Sequence, residues 1–262
     1  MRLARFKSGE EVFSGIIEGE IITQLKSGDV LGRAGGFDTL DLRKGERVFN
    51  LDAVTLLAPT LPSKIIAIGL NYKAHAEEFN KELPKEPMIF LKPPTAVIGP
   101  GEDIIYPSHM SRRIDYEGEL GVVIGKKAKD IAPEVAKEHI LGYTCFNDVT
   151  ARDLQKTDTQ YTRAKGFDTF APIGPWIETD LRPETLRIKT IFKGEVVQDS
   201  PTSDMVFGVF ELLSFVSSVM TLFPGDVIAT GTPSGIGKMH YGDEVEIFIE
   251  GIGSLKNRVI KK

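Results

Sequence analysis

Residues 112–125 read RRIDYEGELGVVIG, and the reading of the fold starts from how this stretch is patterned. Asp115, Glu117 and Glu119 take every second position before the chain runs into the apolar GVVI. Successive side chains of a strand point to opposite faces, so the three acids would share one face, a few ångströms apart. Charges at the start of a strand ordinarily face water, and alternation of polar with apolar residues marks a half-exposed strand. The uninterrupted GVVIG instead predicts burial on both faces soon after Glu119. Carboxylates crowded at a buried edge repel one another and are driven toward protonation unless a cation neutralises them. Their hard oxygens suit Mg²⁺, Mn²⁺ or Ca²⁺.

Strands dominate on either side of this stretch. Residues 1–57 carry RLARF, EVFSGII, EIITQL and RVFNL with Gly, Asp and Ser between them, and LAPTLPS then supplies a proline-bearing break. This predicts a small β-rich N-terminal domain and linker over residues 1–60 and a larger domain over 61–262. The larger part adds KIIAIGL, MIFLKP, AVIGPG, ELGVVIGK, GYTCFND, APIGPWIE, LRIKTIFKG, DVIATGT and EVEIFIEG. Helical patterns are few: NYKAHAEEF, PEVAKEHI with proline at its first position, and FGVFELLSFVSSVMTLF, closed by PGD. Strands that do not alternate regularly with helices argue against a doubly wound or TIM architecture. The expectation is an α+β, predominantly β chain arranged as a strand-rich roll or sandwich.

Composition bounds the function. At 41% hydrophobic and 26% charged over 262 residues, the chain can bury a substantial core. A net charge of -5, with no basic cluster beyond the terminal KNRVIKK, argues against nucleic acid as a partner. There is no apolar run of about 18 residues and no hydrophobic leader in MRLARFKSGEEVFSG, so a soluble, cytoplasmic protein without a membrane partner is expected. The single cysteine, Cys145, has no internal partner and reads as a small core residue.

Two further constellations bear on chemistry. In CFNDVTARDLQ, Asp148 follows an apolar strand, from which it either meets Glu117 and Glu119 or caps the TARDLQ turn. In NYKAHAEEF, His75 and Glu78 lie three apart on one helix face. There the carboxylate can fix the imidazole tautomer and raise the basicity of its other nitrogen, as a general base requires. Surface helices also carry such pairs by chance. The following NKELPKEP has the composition of a mobile lid. The glycine-rich TGTPSGIG lacks the lysine-serine ending of a phosphate loop and the spacing of a dinucleotide fingerprint, and reads as a tight turn.

Taken in order, GLNYKAHAEE, IFLKP, DYEGELGVVIG, FNDVTARDLQ, RAKGFDTFAPIGPW and PGDVIATGTPSGIG resemble the fumarylacetoacetate hydrolase family. The likeness covers about residues 60–260 and is greatest to the branch of acylpyruvate hydrolases, oxaloacetate decarboxylases and diene-dioate isomerases. The resemblance implies a mixed β-roll, a homodimer, and Mg²⁺ or Mn²⁺ (with Ca²⁺ as a substitute) held by Glu117, Glu119 and Asp148. It implies a His75–Glu78 dyad, catalytic lysines Lys92 and Lys165, and substrate contacts from Arg152, Gln155 and Thr232. Asp115 matches no ligand and is expected either to be structural or to stand behind the ligands, and Thr169 is a weaker candidate near the metal. The implied activity is C–C cleavage of small 2-oxo acids, by acylpyruvate hydrolysis or oxaloacetate decarboxylation. Two alternatives stand beside it. One is isomerisation of 2-hydroxyhepta-2,4-diene-1,7-dioate or decarboxylation of its tricarboxylate precursor; the other is a non-catalytic cation-binding β module.

Overall fold

The computed structural model describes residues 1–32, 40–78 and 80–261. Its N-terminal part is an antiparallel meander of Arg2–Ser8, Glu11–Glu18, Ile21–Leu25 and Lys44–Asn50. Alternation along these strands buries Ala4, Phe6, Phe13, Ile17 and Ile22 in a small core of their own, with the Phe6 and Phe49 rings edge-on at 5.2 Å. Arg2–Ser8 also pairs with Ala171–Glu178, through Arg2↔Glu178 and Leu3↔Ile177. The meander therefore extends the central sheet of the larger part.

That sheet runs through Ala171–Glu178, Ile140–Asn147, Gly118–Ile124, Val227–Ala229, Ile65–Gly69 and Met88–Lys92. Pairing is mostly antiparallel, with Val227–Ala229 parallel to Ile65–Gly69, so the sheet is mixed and the chain predominantly β, as expected. A second sheet of Glu195–Pro201, Arg187–Phe192, Glu244–Ile249, Gly253–Lys261 and Ile104–Tyr106 shares the main core with it. The longest helix, Val209–Val219, buries Val209, Leu212, Leu213 and Val216, an i, i+3, i+4, i+7 stripe that adds to this core. It leads into the PGD turn, where buried Asp226 accepts from the amides of Ser63, Lys64 and Phe223 and pairs with the Lys64 ammonium. This ties the start of the larger part to a turn some 160 residues later in the chain.

Three expectations change. Asp115, Glu117 and Glu119 do not lie on one continuous strand. Ile114–Tyr116 belongs to a separate three-stranded sheet, and the chain leaves strand geometry at Glu117 before re-entering at Gly118. The cause is non-local: the Glu117 amide donates to the side-chain Asn147 Oδ1 (3.0 Å) and the Gly118 amide to the side-chain Gln198 Oε1 (3.0 Å) instead of to the backbone carbonyls of a ladder. Pro133–His139 is a 3₁₀ rather than an α-helix, because it buries only Ala136 and has no apolar stripe at helical spacing to hold it down. The NYKAHAEEF helix is confined to Lys73–Glu78, here α1; Phe79, its expected last residue, lies outside the described residues.

Candidate active site

The pairings Gly118↔Asn147, Gly121↔Ala229, Ala229↔Ala67 and Gly69↔Met88 bring one end of five adjacent strands together. The segments leaving that end carry Glu117, Asp148, Thr232 and α1. One ligand oxygen from each of Glu117, Glu119 and Asp148 lies within 4.8 Å of the others, and all three side chains are buried. The acids sit this close because Gly118 intervenes: a Cβ there would stand 2.4 Å from Thr190 Oγ1. Gly231 (φ 96°) plays the same part on the facing loop. Its amide donates to Glu119 Oε2 at 2.9 Å, and a Cβ there would meet Asn71 Cβ at 2.8 Å.

Buried cations bind two of the three acids. Lys92 Nζ donates to Asp148 Oδ1 (2.6 Å), and Lys165 Nζ to Glu117 Oε2 (2.8 Å) and to Asp148 Oδ2. Arg152, from the helix Arg152–Thr157, donates through Nη2 to Glu117 and through Nε to Asp115 Oδ2 (2.9 Å). Burial opposes the charge of Glu117, yet Lys165 and Arg152 outweigh it and hold that carboxyl well below the usual range. Burial likewise opposes the charge of Lys165, but Asp148 and Glu117 keep its ammonium above its ordinary value. Lys92 goes the other way: burial lowers it, and Asp148 offsets this only in part because Lys165 repels it. Among the described residues Glu119 receives only the Gly231 amide. Burial, then Asp148 and Glu117, push its carboxyl well above the usual range. Three hard-oxygen donors clustered so closely, one short of positive charge, suit a divalent ion whose ligand oxygens stand ~2.0–2.6 Å from it.

α1 stands beside this cluster. His75 Nδ1 faces Glu78 Oε2 at 3.0 Å, and Glu78 Oε1 accepts the Gly235 amide at 3.3 Å. The turn into α1 is held by Leu70 in left-handed conformation (φ 53°) and by Asn71, whose amide group bonds the Phe207 and Thr230 carbonyls. A cavity of about 60 Å³ is lined by His75, Glu117, Glu119, Arg152, Gln155, Lys165 and Thr232, among others. Asp148 and Lys92 stand directly behind it through their contacts with Lys165 and with each other.

The structure thus brings together the ten residues expected as metal, catalytic and substrate residues, with refinements at Thr232 and Asp148, and leaves the weaker candidate Thr169 outside. Thr232 lines the cavity but spends its hydroxyl proton on Gly118 O (2.9 Å) while accepting from Gln198 Nε2 (2.9 Å), so towards a ligand it can only accept. Asp148 does not cap the TARDLQ turn, since that helix has Ala151 at its cap. Thr169 is not at the cluster: its hydroxyl accepts the Ile105 amide at 2.8 Å and it does not line the cavity. Asp115 is structural, shared by Arg113 and Arg152, and Cys145 is a buried thiol whose ionisation burial suppresses. Sequence reasoning missed Lys81, Met88, Phe90 and Tyr161 in the lining, and Asn147 and Gln198 as braces. Asn147 had a signal in its place beside Asp148; Gln198 had none.

An acid triad opening onto a cavity that also holds a histidine–glutamate pair is an enzyme's arrangement, not that of a purely structural cation site. The chain belongs to the fumarylacetoacetate hydrolase family: residues 64–260 match its "Fumarylacetoacetate (FAA) hydrolase C-terminal" region, and residues 1–59 match "Rv2993c-like, N-terminal". It is 43% identical over 229 residues (82% of this chain, 76% of the relative) to oxaloacetate tautomerase YisK of Bacillus subtilis. Among solved structures it resembles 5-carboxymethyl-2-hydroxymuconate delta-isomerase from Mycobacterium smegmatis, with TM-score 0.91, 44% identity and 100% of both chains covered. It also resembles maleylpyruvate hydrolase from Sphingobium sp. SYK-6 in complex with manganese (II) ion and pyruvate, with TM-score 0.80, 30% identity and 100% and 99% of the two chains covered. The family's fold and an enzymatic role are thereby established, and the non-catalytic module is set aside.

Proposed function

We propose that this enzyme acts on small 2-oxo acids through an enolate, using Mg²⁺ or Mn²⁺ held by Glu117, Glu119 and Asp148. The observation that carries the reading is one cavity lined by the acids Glu117 and Glu119, the cations Arg152 and Lys165, and His75 oriented by Glu78. An ion held there by Glu117, Glu119 and Asp148 would supply concentrated positive charge to stabilise the enolate character of an oxo acid. Arg152, with Gln155 beside it, and Lys165 receive the substrate's anionic end and exclude water from it.

His75 moves the proton. With Nδ1 turned to Glu78, its Nε2 takes a proton from water, and the resulting hydroxide adds to the distal carbonyl of an acylpyruvate. The C–C bond then breaks with its electron pair passing to the pyruvate fragment as enolate, which is protonated to pyruvate. In oxaloacetate the same enolate arises as CO₂ departs and leaves its bonding pair on carbon, with no attacking water. A second reading, keto–enol or double-bond isomerisation, needs only the proton transfer. It is favoured by the likeness to relatives named oxaloacetate tautomerase and delta-isomerase.

The test is a panel of acetylpyruvate, fumarylpyruvate, oxaloacetate and 2-hydroxyhepta-2,4-diene-1,7-dioate with Mg²⁺ or Mn²⁺, following pyruvate, CO₂ and the enol separately. Turnover that needs the metal and stops in Glu117→Ala supports the reading; turnover indifferent to chelator and to that substitution overturns it. The expected setting is a cytoplasmic homodimer with residues 61–262 as the catalytic part and 1–60 accessory, its oligomeric state measurable by light scattering. Among the described residues no helix is long and apolar enough to cross a membrane.

A further inference from the structure

We propose that Lys81 is a specificity residue which receives the second carboxylate of the substrate, so that the enzyme prefers a dicarboxylic 2-oxo acid over a monoacid. The inference rests on the functional reading above and narrows its substrate class. Lys81 is exposed at the cavity it lines together with His75, Glu117 and Arg152. Its place is set by the end of α1. The Asn80 amide donates to Glu77 O and the Lys81 amide to Ala76 O, both at 2.9 Å, while Asn80 takes φ 51°. These are the paired bonds and left-handed residue of a Schellman ending, so Lys81 is fixed to the short helix that presents His75.

The charges of the site single this lysine out. Lys92 is answered by Asp148, Lys165 by Glu117 and Asp148, and Arg152 by Asp115 and Glu117. Lys81 lines the same cavity without an ion-pair partner among the described residues. Much of the remaining lining is carbon: Ile68, Leu70, Met88 and Phe90, with the Phe90 ring edge-on to Tyr161 at 5.3 Å. A substrate anchored at its oxo-acid end therefore lays its middle against apolar surface and its far end toward an ammonium. An ion pair at a half-open mouth changes affinity by roughly three- to fivefold.

The test measures binding, with two acids that carry no cleavable second carbonyl. 2-Oxoglutarate and 2-oxobutanoate are titrated calorimetrically into the Mn²⁺-loaded wild type and into Lys81→Met, Lys81→Arg and Lys85→Met. Lys85 lies on the same loop but does not line the cavity. The expected result is a diacid-over-monoacid affinity ratio that falls about three- to fivefold in Lys81→Met, returns in Lys81→Arg, and stays within about 1.5-fold in Lys85→Met. A ratio unmoved by Lys81→Met, or lowered as much by Lys85→Met, overturns the assignment. Should the wild type bind neither acid, the functional reading itself falls and takes this one with it.

Discussion

The acid cluster and α1 meet at one cavity but are built in opposite ways. Glu117, Glu119, Asp148, Lys92 and Lys165 are all buried; all but Lys165, which ends the helix Thr162–Lys165, sit on or beside strands, and all but Glu119 hold one another through charged hydrogen bonds. α1 is six residues long, buries only His75 and Ala76, and is held by a turn at each end. The difference suits the tasks: an ion site requires fixed oxygens, whereas a group that transfers protons must admit a substrate and release a product. One part of the site is thus also fold, and the other is chiefly function.

Substitutions in the two parts should therefore separate activity from stability. The largest effect is expected in the cluster. Glu117→Ala takes from Lys165 and Arg152 one of the two carboxylates each of them holds, leaving Asp148 and Asp115, and should lower stability by about 2–4 kcal/mol in denaturant unfolding while abolishing turnover. His75→Ala should cost about 10²- to 10⁴-fold in hydrolytic kcat, with decarboxylation less affected, and leave the unfolding midpoint nearly unchanged. Equal destabilisation by the two variants would break the contrast, and equal loss in both reactions would remove His75 from water activation. Gly231→Ala, which presses a Cβ on Asn71 and drags the amide from Glu119, should cost about 1–3 kcal/mol and weaken metal binding. Asn80→Ala, at a left-handed position that ends α1, should cost only about 1 kcal/mol, visible as a small drop in Tm.

Protonation sharpens the same contrast. Glu119 has its carboxyl raised above the ordinary 4.5, so the folded, metal-free protein keeps a proton that the unfolded chain gives up. Its stability contribution is therefore present below that value and is lost as pH rises through the folded-state titration. A divalent ion replaces the proton, so thermal unfolding with saturating Mn²⁺ should lose this downward trend, and metal affinity should increase with pH. Parallel pH profiles with and without metal would argue against Glu119 as a ligand.

Much of the site was legible in the chain because its chemistry is local. The Glu117–Glu119 spacing, the His75–Glu78 step and the position of Asp148 after an apolar strand are local patterns that raise candidates but leave other readings open; their roles, and Lys92, Lys165, Arg152, Gln155 and Thr232 altogether, come from the resemblance to the family. What escaped depends on distant partners. The break at Glu117 exists because Asn147 and Gln198 take the amides of Glu117 and Gly118 from 30 and 80 residues away. Lys81, Phe90 and Tyr161 reach the cavity only once α1, its ending turn and the Met88–Lys92 strand are in place, and nothing in their local sequence marks them. The N-terminal meander was legible as strands, but its pairing of Arg2–Ser8 with Ala171–Glu178 joins segments some 170 residues apart and leaves no local trace.

The central claim is that three buried carboxylates from two segments hold one divalent ion. Titration of Mn²⁺ into metal-free wild type and Glu119→Gln, followed by electron paramagnetic resonance, tests it most directly. One tight ion per chain in the wild type and its loss in the variant is the predicted result; undiminished Mn²⁺ binding by Glu119→Gln would contradict it.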